Sequence, residues 1–500
     1  MKDASDLIRK IRTGVPGFDA VLGGGLPENS FNLVAGGPGS GKTTLTLHTM
    51  FANATVKRPG LYFTVLGEPT LKMIRYQRQF SFFKPDMVGS ALQFVNLSEQ
   101  VLKYDLDLVL ERIQREVERA RPGIIAVDSF RPIGRKIGEP VSAHAMDLEH
   151  FLQRLALNMT SWEVTSFLLG EYSEEEKQNP VFTVADGVFW MQQVTDRNSV
   201  VRKMQVMKVR GHEPMPGLHT FRITDAGLQI FPRIPEQQKS RRPQSFKRTG
   251  TGVPGLDERM GGGIPVGDVV MLAGPAGSGK TTFASQFVSE GLRQGESAVI
   301  AIFEEYPEEY LGRARSRNGD LEEKLKSGKL KLLYLRPLDL SVDETLHEIL
   351  EAVNEVGATR VVIDSLSGFE IALAPAFRED FRESLYRLAG ALTATGVTVF
   401  TTAETTGRYS DLSFTTERVS FITDDIIVQR YVEVDGEILT ILSIMKMRGS
   451  EHSREFLIYE ITEKGASVGG PLLGYHGILS GIPSPIASLE RPAGVHGENG

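Results

Sequence analysis

The chain repeats itself at one constant offset, and this feature limits its fold more than any other. Residues 13–27 read TGVPGFDAVLGGGLP, and residues 251–265, which lie 238 positions further on, read TGVPGLDERMGGGIP. The same offset relates GGPGSGKTT at 36–44 to GPAGSGKTT at 274–282. Because the offset holds across a whole copy and far exceeds the roughly 20–50 residues of solenoid repeats, the sequence predicts two copies of one domain.

The duplication divides the chain into four segments. We predict a first domain over residues 1–231, a linker over 232–247, a second domain over 248–480 and a tail over 481–500. The linker is rich in Pro, Gln, Ser and basic residues and has almost no apolar content, which is typical of a solvated connection. The tail is rich in Pro and Gly without an apolar period, so we expect it to be disordered or ordered only by a partner.

Composition and net charge exclude or disfavour several classes of protein. The 500 residues suffice for two cores, and the net charge of −7 argues against a standing affinity for nucleic acid or an anionic membrane. The absence of cysteine excludes disulfides, thiolate metal sites and cysteine nucleophiles. The first residues lack the apolar segment of a signal peptide, and no apolar run approaches the ~20 residues of a membrane helix. We therefore expect a cytoplasmic protein without a membrane span.

Strand-like and helix-like runs alternate within each copy. In the first copy, the apolar runs GLYFTVL and GIIAVDSF flank LVLERIQREVERAR, whose apolar residues recur at every third or fourth place. The second copy has the matching series SAVIAIF, DETLHEILEAVNEVG and RVVIDSL. Strands that are separated by helices predict an α/β fold, in which each domain has a mainly parallel sheet with helices on both faces.

Each copy contains a glycine-rich loop of the Walker A type between an apolar strand and a helix. Its glycines let backbone N–H groups surround phosphates, its lysine adds a positive charge for the β- and γ-phosphates, and its threonine hydroxyl can ligate Mg²⁺. The alternative, a glycine-rich turn before a helix, does not explain why the motif recurs at the duplication offset. We predict that ATP is bound in both copies by Gly36, Gly37, Gly39, Ser40, Gly41, Lys42, Thr43 and Thr44, and by Gly274, Gly277, Ser278, Gly279, Lys280, Thr281 and Thr282.

An aspartate ends a later apolar strand in each copy. Asp128 ends IIAVD and Asp364 ends VVID, and each lies about 85 residues after its loop lysine. Such an aspartate can hold Mg²⁺ together with Thr43 or Thr281. The alternative is an aspartate that caps a strand-to-helix turn. Recurrence in both copies favours the metal site.

The two copies differ in the acids that could activate an attacking oxygen. Glu304 and Glu305 follow the strand SAVIAIF in the second copy, where they are candidates for the catalytic base. The offset maps them onto Leu66 and Gly67, and the nearest acid in the first copy is Glu68. The alternative for the glutamate pair is the solvated start of an acidic helix.

Glu171 and Glu404 follow later strands in similar surroundings, LLGE and TTAE. They could sense the γ-phosphate through water, or they could be surface caps. The sequence leaves both interpretations open.

A Lys-x-Arg-Gly motif occurs late in each copy. Lys208 and Arg210 in the first copy match Lys446 and Arg448 in the second. Residues i and i+2 of a strand share a face, and two cations on one face suit a phosphate. If they act on a neighbour's ATP, the protein must form a ring or a filament. The alternative is a solvated face of an edge strand.

These motifs resemble the KaiC family of RecA-type double-domain ATPases over residues 10–483. The residues that carry the resemblance are the two TGVPG segments, the Walker loops, IFEE, VVIDSLS, KVRG and KMRG, FRITDAGLQIFP, ITDDIIVQRYVE and ILSGIP. The resemblance implies a homohexamer of two stacked rings with ATP between subunits. It further implies ATP hydrolysis in the first ring, autokinase, autophosphatase and ATPase activities in the second, and a KaiB-like or signalling partner protein.

The resemblance also assigns roles to single residues. It implies that Glu304 is the general base, that Lys446 and Arg448 act on a neighbour's ATP, and that Arg378 in PAFRED lies beside phosphate. The family's adjacent Ser-Thr phosphoacceptors fall on Ser420 and Phe421, so the serine is kept and the threonine is lost.

A third, more distant phosphoacceptor of the family matches Thr415. The alternative for Ser420 is an ordinary surface hydroxyl. The family's double glutamate of the first domain falls on Leu66 and Gly67, which leaves hydrolysis at that site open.

Three functions therefore compete. The first is an ATPase with serine autokinase activity that works as a phosphorylation-state switch. The second is a nucleotide-gated scaffold for signalling partners, which the loss of the glutamate pair favours for the first domain. The third is a RecA-like DNA-dependent ATPase, which the acidic composition and the lack of a basic, aromatic segment disfavour.

Overall fold

A computed structural model describes most of the chain. The described residues are 8–65, 70–102, 106–129, 150–151, 153–159, 161–178, 180–196, 199–233, 247–318, 321–335, 340–373, 381–405, 423–480 and 483–486. Glu68, Arg378, Thr415 and Ser420, together with most of the expected linker and tail, lie outside the described residues. The chain divides into two compact units, Met1–Arg233 and Ile234–Gly500.

Strands and helices alternate through the first unit, as predicted. Its strands are β1 (Lys10–Ile11), β2 (Leu26–Pro27), β3 (Phe31–Gly36), β4 (Gly60–Thr64), β5 (Leu92–Asn96), β6 (Ile124–Asp128), β7 (Thr165–Gly170), β8 (Gly187–Asp196), β9 (Ser199–Val209), β10 (Leu218–Thr224) and β11 (Gly227–Phe231). Its helices are α1 (Phe18–Val21), α2 (Lys42–Asn53), α3 (Thr70–Gln77), α4 (Ser98–Leu102), α5 (Leu106–Ala120) and α6 (Pro180–Val184), with 3₁₀ turns at Pro85–Met87 and Glu174–Gln178.

The second unit repeats this series. Its strands are β12 (Arg248–Thr249), β13 (Ile264–Pro265), β14 (Val269–Gly274), β15 (Ala298–Ile302), β16 (Leu330–Tyr334), β17 (Arg360–Asp364), β18 (Thr398–Glu404), β19 (Asp425–Val434), β20 (Glu437–Met447), β21 (Leu457–Thr462), β22 (Gly465–Pro471), β23 (Tyr475–His476) and β24 (Ser484–Pro485). Its helices are α7 (Leu256–Arg259), α8 (Lys280–Arg293), α9 (Pro307–Asn318), α10 (Leu321–Lys326), α11 (Val342–Val356), α12 (Leu366–Ala372) and α13 (Phe381–Ala394), with a 3₁₀ turn at Ile478–Ser480.

The large sheets of the two units have the same strand order. In the first unit the order is β5-β4-β6-β7-β3-β8-β9-β10-β11, and in the second it is β16-β15-β17-β18-β14-β19-β20-β21-β22. Within each sheet, the first six strands pair in parallel and the remaining pairings are antiparallel. The predicted α/β fold with a mainly parallel sheet in each domain is therefore confirmed.

Burial on both faces explains why the parallel strands are so apolar. Every residue of β3 and of β14 is buried, because helices cover both sides of each sheet. The helix α11 buries an apolar stripe that includes Leu346, Ile349 and Val353, and its Ser341 N-cap accepts a hydrogen bond from the Glu344 N–H. The packed helices hold the sheet in place, and the sheet positions the loops at the ends of its strands.

The strand order brings three loops together at one edge of each sheet. In the first unit, β7 lies between β3, which leads into the Walker loop, and β6, which ends at Asp128. All three strands are parallel, so their carboxyl ends meet at the same edge. In open α/β sheets this edge is where ligands bind.

Candidate active sites

The Walker loop of the first unit has the conformation that its glycines predict. Gly36 has a φ of 150° and Gly41, at the N-terminus of α2, a φ of 94°. A side chain at Gly36 would overlap the carbonyl oxygen of Met191 on the neighbouring strand β8. The loop therefore passes close to the sheet and turns directly into α2, so that the free N–H groups of the helix point into the loop.

The two loop lysines lie in the same position in their units. The Lys42 Nζ donates to the carbonyl oxygens of Gly36 at 3.0 Å and Gly37 at 2.8 Å. The Lys280 Nζ donates to Gly274 at 3.0 Å and Pro275 at 2.8 Å. Each ammonium group is thus held above the loop where phosphates bind in proteins of this kind.

Burial lowers the pKa of both Walker lysines, and nearby carboxylates act to raise it. Burial lowers the pKa of Lys42, while Glu171 and then Asp128 act to raise it. Burial likewise lowers the pKa of Lys280, while Glu404, Asp364 and Glu304 act to raise it. Glu171 and Glu404 therefore lie within electrostatic reach of the Walker lysines, although their sequence surroundings left their role open.

In the first unit, Asp128 lies beside the loop threonine that the sequence paired with it. The Thr43 Oγ1 donates to the Asp128 Oδ2 at 2.9 Å, and the Tyr62 hydroxyl donates to the same oxygen at 2.5 Å. Burial raises the pKa of Asp128, and the Tyr62 and Thr43 hydroxyls act against this rise. The Asp128–Ser129 peptide bond is cis, as is Asp364–Ser365 in the second unit.

In the second unit, the matching aspartate has a different hydroxyl partner. The Thr402 Oγ1, from β18, donates to the Asp364 Oδ1 at 2.5 Å. Neither Tyr62 nor Thr402 was identified from the sequence. Both lie on strands directly next to the aspartate strand, and this adjacency is visible only once the strand order is known.

The glutamates Glu304 and Glu305 point to different neighbours. The Ser365 Oγ, next to Asp364, donates to the Glu304 Oε1 at 3.1 Å. Glu305 forms an ion pair with Arg313 of α9. The sequence suggested a pair of catalytic candidates, whereas the structure places only Glu304 beside the strand-end aspartate.

A cleft of about 580 Å³ opens around the Walker loop of the first unit, which is within the usual size of a nucleotide site. Its polar lining combines the loop with the residues that sequence analysis placed at the metal and γ-phosphate. The lining residues are Gly39, Gly41, Lys42, Thr43, Thr44, Thr64, Val65, Met73, Asn96, Ser98, Asp128, Ser129, Glu171 and Ile223. The Lys42 ammonium, the Thr43 hydroxyl and the Asp128 carboxylate fit a triphosphate with Mg²⁺, which takes few protein ligands and keeps several waters.

The Lys-x-Arg cations lie at the amino ends of the parallel strands, whereas the Walker loop of the same unit lies at their carboxyl ends. Val209 of β9 pairs with Gly187, and Gly187 pairs with Asn32 at the start of β3. Gly36 lies four positions after Asn32, which corresponds to about 13 Å along a strand. Lys208 and Arg210 are therefore too far away to act on the phosphates of their own loop.

An aspartate holds the arginine of this motif in both units. Arg210 forms an ion pair with Asp186 at 2.9 Å, and Arg448 forms one with Asp424 at 3.4 Å. Each aspartate also accepts a hydrogen bond from the first backbone N–H of its Walker strand. The lysines instead donate to backbone carbonyls, Lys208 to Thr183 and Lys446 to Thr423. Sequence reasoning missed both aspartates, although Asp186 and Asp424 recur at the duplication offset.

The described ranges contain no helix with the length and hydrophobicity of a membrane span. The same ranges contain no group of three or more His, Asp or Glu residues that could hold a metal ion by itself.

Comparisons with known proteins agree with this geometry. The family model of the KaiC ATPases matches residues 11–234 and 249–472. The circadian clock oscillator protein KaiC of Rippkaea orientalis is 31% identical over 493 residues, which are 97% of this chain and 93% of that protein. KaiC 1 of Synechocystis sp. is 31% identical over 497 residues, with the same coverage of both chains. KaiC of Synechococcus elongatus is 28% identical over 493 residues, again covering 97% and 93%.

Proposed function

Because the chain belongs to the KaiC family of ATPases, we propose that each of its two domains binds ATP with Mg²⁺ and that the second also transfers phosphate to a serine of the protein. The observation that carries the proposal is the convergence of the Walker lysine with the strand-end aspartate in both units. A duplicated fold that keeps both groups at one sheet edge is suited to two triphosphate sites.

In each site, one group of residues would bind the phosphates and another would hold Mg²⁺. Backbone N–H groups of the loop and the N-terminus of α2 or α8 would bind the β- and γ-phosphates, together with Lys42 or Lys280. Asp128 with Thr43, and Asp364 with Thr281, would hold Mg²⁺. When bound, Mg²⁺ neutralises charge that develops on the phosphate oxygens.

In the second domain, Glu304 would take the proton from the attacking oxygen. Its contact with Ser365 supports this role because it keeps the carboxylate beside Asp364. The attacking oxygen would belong to water in hydrolysis and to the Ser420 hydroxyl in autophosphorylation, with Thr415 as a second acceptor. Arg378 would lie beside the phosphates.

The Lys-x-Arg cations support a ring assembly. Lys208 and Arg210 are held at the amino ends of the parallel strands, away from their own Walker loop, so they suit the ATP of an adjacent subunit. We expect a homohexamer with ATP at the subunit interfaces, and a KaiB-like or signalling protein as its reader. Mass photometry with and without ATP tests this, and a monomer under both conditions would contradict it.

A nucleotide-gated scaffold with little kinase activity is the second candidate function. The presence of Leu66 and Gly67 at the positions that match Glu304 and Glu305 favours it for the first domain. Under this alternative, ATP would assemble the ring but turn over slowly.

The deciding experiment measures bound nucleotide, turnover and intact mass after incubation with ATP and Mg²⁺. We expect the wild type to bind two ATP molecules per chain, and Lys42→Ala and Lys280→Ala each to lose one. Removing a charge-assisted contact to phosphate lowers affinity at that site by roughly 10- to 100-fold. We expect an increase in mass from added phosphate that Lys280→Ala abolishes, Ser420→Ala lowers and Lys42→Ala leaves.

The control for a folding defect is the far-UV circular dichroism and melting curve of each variant. ATP turnover without any phosphoserine would remove the kinase part of the proposal and favour the scaffold. Failure of the wild type to retain any ATP would contradict the whole proposal.

A further inference from the structure

The first domain needs a carboxylate that the duplication does not supply. Glu304 contacts the residue after Asp364 in the second unit, but Leu66 stands at the matching position in the first. Water attacks a phosphate poorly unless a base orients it and accepts its proton. If the first domain hydrolyses ATP, another acid must take this role.

Glu171 occupies the most favourable position in the strand order. It directly follows β7, which lies between the Walker strand β3 and the aspartate strand β6. Gly170 pairs with Ala35, the residue before the first glycine of the Walker loop. Glu171 thus begins the loop between the lysine and the metal-binding aspartate, whereas residues 66–68 follow β4, which is two strands further than β7 from the Walker strand β3.

The lining of the cleft places the Glu171 carboxylate inside the site. Glu171 lines the cleft together with Lys42, Thr43 and Asp128. Among the charged groups that act on the pKa of Lys42, Glu171 has the largest effect and exceeds Asp128. Asp128 and Glu171 line the same cleft, so the two carboxylates face the same space.

The backbone around Glu171 is anchored while its side chain stays available. The next residue, Tyr172, packs edge-on against Phe182 of α6 with ring centroids 5.3 Å apart. The Glu171 side chain is half-buried and, within the described ranges, makes no hydrogen bond or ion pair. A carboxylate that is fixed at its base and unpaired at its tip can accept a proton from a bound water molecule.

Its counterpart in the second unit has different surroundings. Glu404 ends β18 and is exposed, and Glu304 is present at the same site to act as the base. The second domain therefore has two carboxylates near its lysine besides Asp364. The first domain has Glu171 in this position, and the described residues offer no counterpart of Glu304.

We propose that Glu171 orients and deprotonates the attacking water in the first domain. The water oxygen forms a bond to the γ-phosphorus while the bond to the β–γ bridging oxygen breaks. The proton passes from water to the Glu171 carboxylate and then to the inorganic phosphate, and ADP leaves with the bridging oxygen. This inference rests on the proposed binding of ATP by the first domain.

The test uses the full chain in a Lys280→Ala background, which confines tight ATP binding to the first domain. We expect Glu171→Gln to lower kcat by about 10²- to 10⁴-fold while the Kd for ATP changes less than about threefold. Purified Glu171→Gln should contain ATP where the parent contains ADP. Glu171→Asp should recover part of the rate, because it restores a base that is about one methylene shorter.

Glu175→Gln is the matched control, because Glu175 is an exposed glutamate four residues further along the same loop. We expect its kcat, Kd and bound nucleotide to equal those of the parent.

Two results would overturn the inference. One is a Glu171→Gln variant that turns over ATP within about threefold of the parent, particularly if Glu68→Gln abolishes turnover instead. The other is loss of ATP binding in Glu171→Gln, which would make Glu171 a binding residue. Failure of the proposed function itself is recognised earlier, because the Lys280→Ala parent would then retain no nucleotide.

Discussion

The two Walker sites hold their lysines in the same way, but a hydroxyl reaches the aspartate from opposite sides. Asp128 receives the Tyr62 hydroxyl from β4, whereas Asp364 receives the Thr402 hydroxyl from β18. The strand that carries the aspartate lies between β4 and β7 in the first sheet, and between β15 and β18 in the second. The comparison shows that duplication preserved the sheet edge and the Walker loop, while the residues that surround the carboxylates diverged.

The same divergence extends into the cores. Arg360 is only 1% exposed and donates to the carbonyl oxygens of Gly250 and Phe287, but the matching residue of β6 is Ile124. His48 on α2 stacks against Phe82, whereas its counterpart on α8 is Gln286. The two domains are therefore stabilised by different polar contacts and can be altered independently.

The largest expected effect separates Glu304 from Glu305. In a Lys42→Ala background, we expect Glu304→Gln to lower second-domain turnover by about 10²- to 10⁴-fold, because it removes the proposed base. We expect Glu305→Gln to lower it by about tenfold or less, because Glu305 is paired with Arg313 and has no contact with Ser365. Steady-state phosphate release measures both.

Equal losses in the two glutamine variants would contradict this separation. They would restore the interpretation in which both glutamates act at the site. Circular dichroism and the retained ATP content serve as controls, since neither substitution changes the size of the side chain.

The next effect concerns the stability of one domain. We expect Arg360→Met to lower the free energy of unfolding of the second domain by about 2–4 kcal/mol, because two buried carbonyl groups and Glu296 lose their donor. Ile124→Met, at the matching position, should cost the first domain less than about 1.5 kcal/mol. Urea unfolding followed by intrinsic fluorescence measures both, and equal losses in the two domains would contradict the prediction.

The smallest expected effect is an opposite response of the two domains to pH. Burial, with Asp268 nearby, raises the pKa of Asp425 from 3.8 to about 7, while burial lowers the pKa of His48 from 6.5 to about 4. The folded second domain thus binds a proton that its unfolded chain releases, so its stability falls as the pH rises from about 4 to about 7. The folded first domain excludes a proton that its unfolded chain binds, so its stability rises from about pH 4 to about pH 6.5.

Urea midpoints at several pH values measure these two slopes. We expect Asp425→Asn to reduce the slope of the second domain and His48→Gln that of the first, each by about 1–3 kcal/mol over the interval. The His48→Gln variant introduces the residue that the second domain has at Gln286. Unchanged slopes in both variants would show that other groups govern the pH response.

Features that depend on local sequence could be predicted, and the structure confirms the α/β fold. The Walker loops could be located because their glycines, lysine and threonine are adjacent in the chain. Asp128 and Asp364 could be located because each ends a continuous apolar run. These signals need no knowledge of which strands become neighbours.

Contacts that depend on strand order could not be predicted. Tyr62 meets Asp128 only because β4 lies next to β6, and Thr402 meets Asp364 only because β18 lies next to β17. The ion pair of Glu305 with Arg313 depends on the direction in which α9 leaves the sheet. The position of Glu171 beside Lys42 likewise depends on β7 lying between β3 and β6.

The placement of the Walker loop and the Lys-x-Arg motif at opposite edges of each sheet has a consequence for symmetry. A contact that brings one edge of a subunit against the opposite edge of the next is head-to-tail, so the rotation between neighbours decides whether the assembly closes or grows as a filament. Both domains are parts of one polypeptide and are therefore present in equal numbers. A closed assembly in which both domains make this contact then contains equal numbers of first-domain and second-domain contacts, so a change in subunit number alters both sets together.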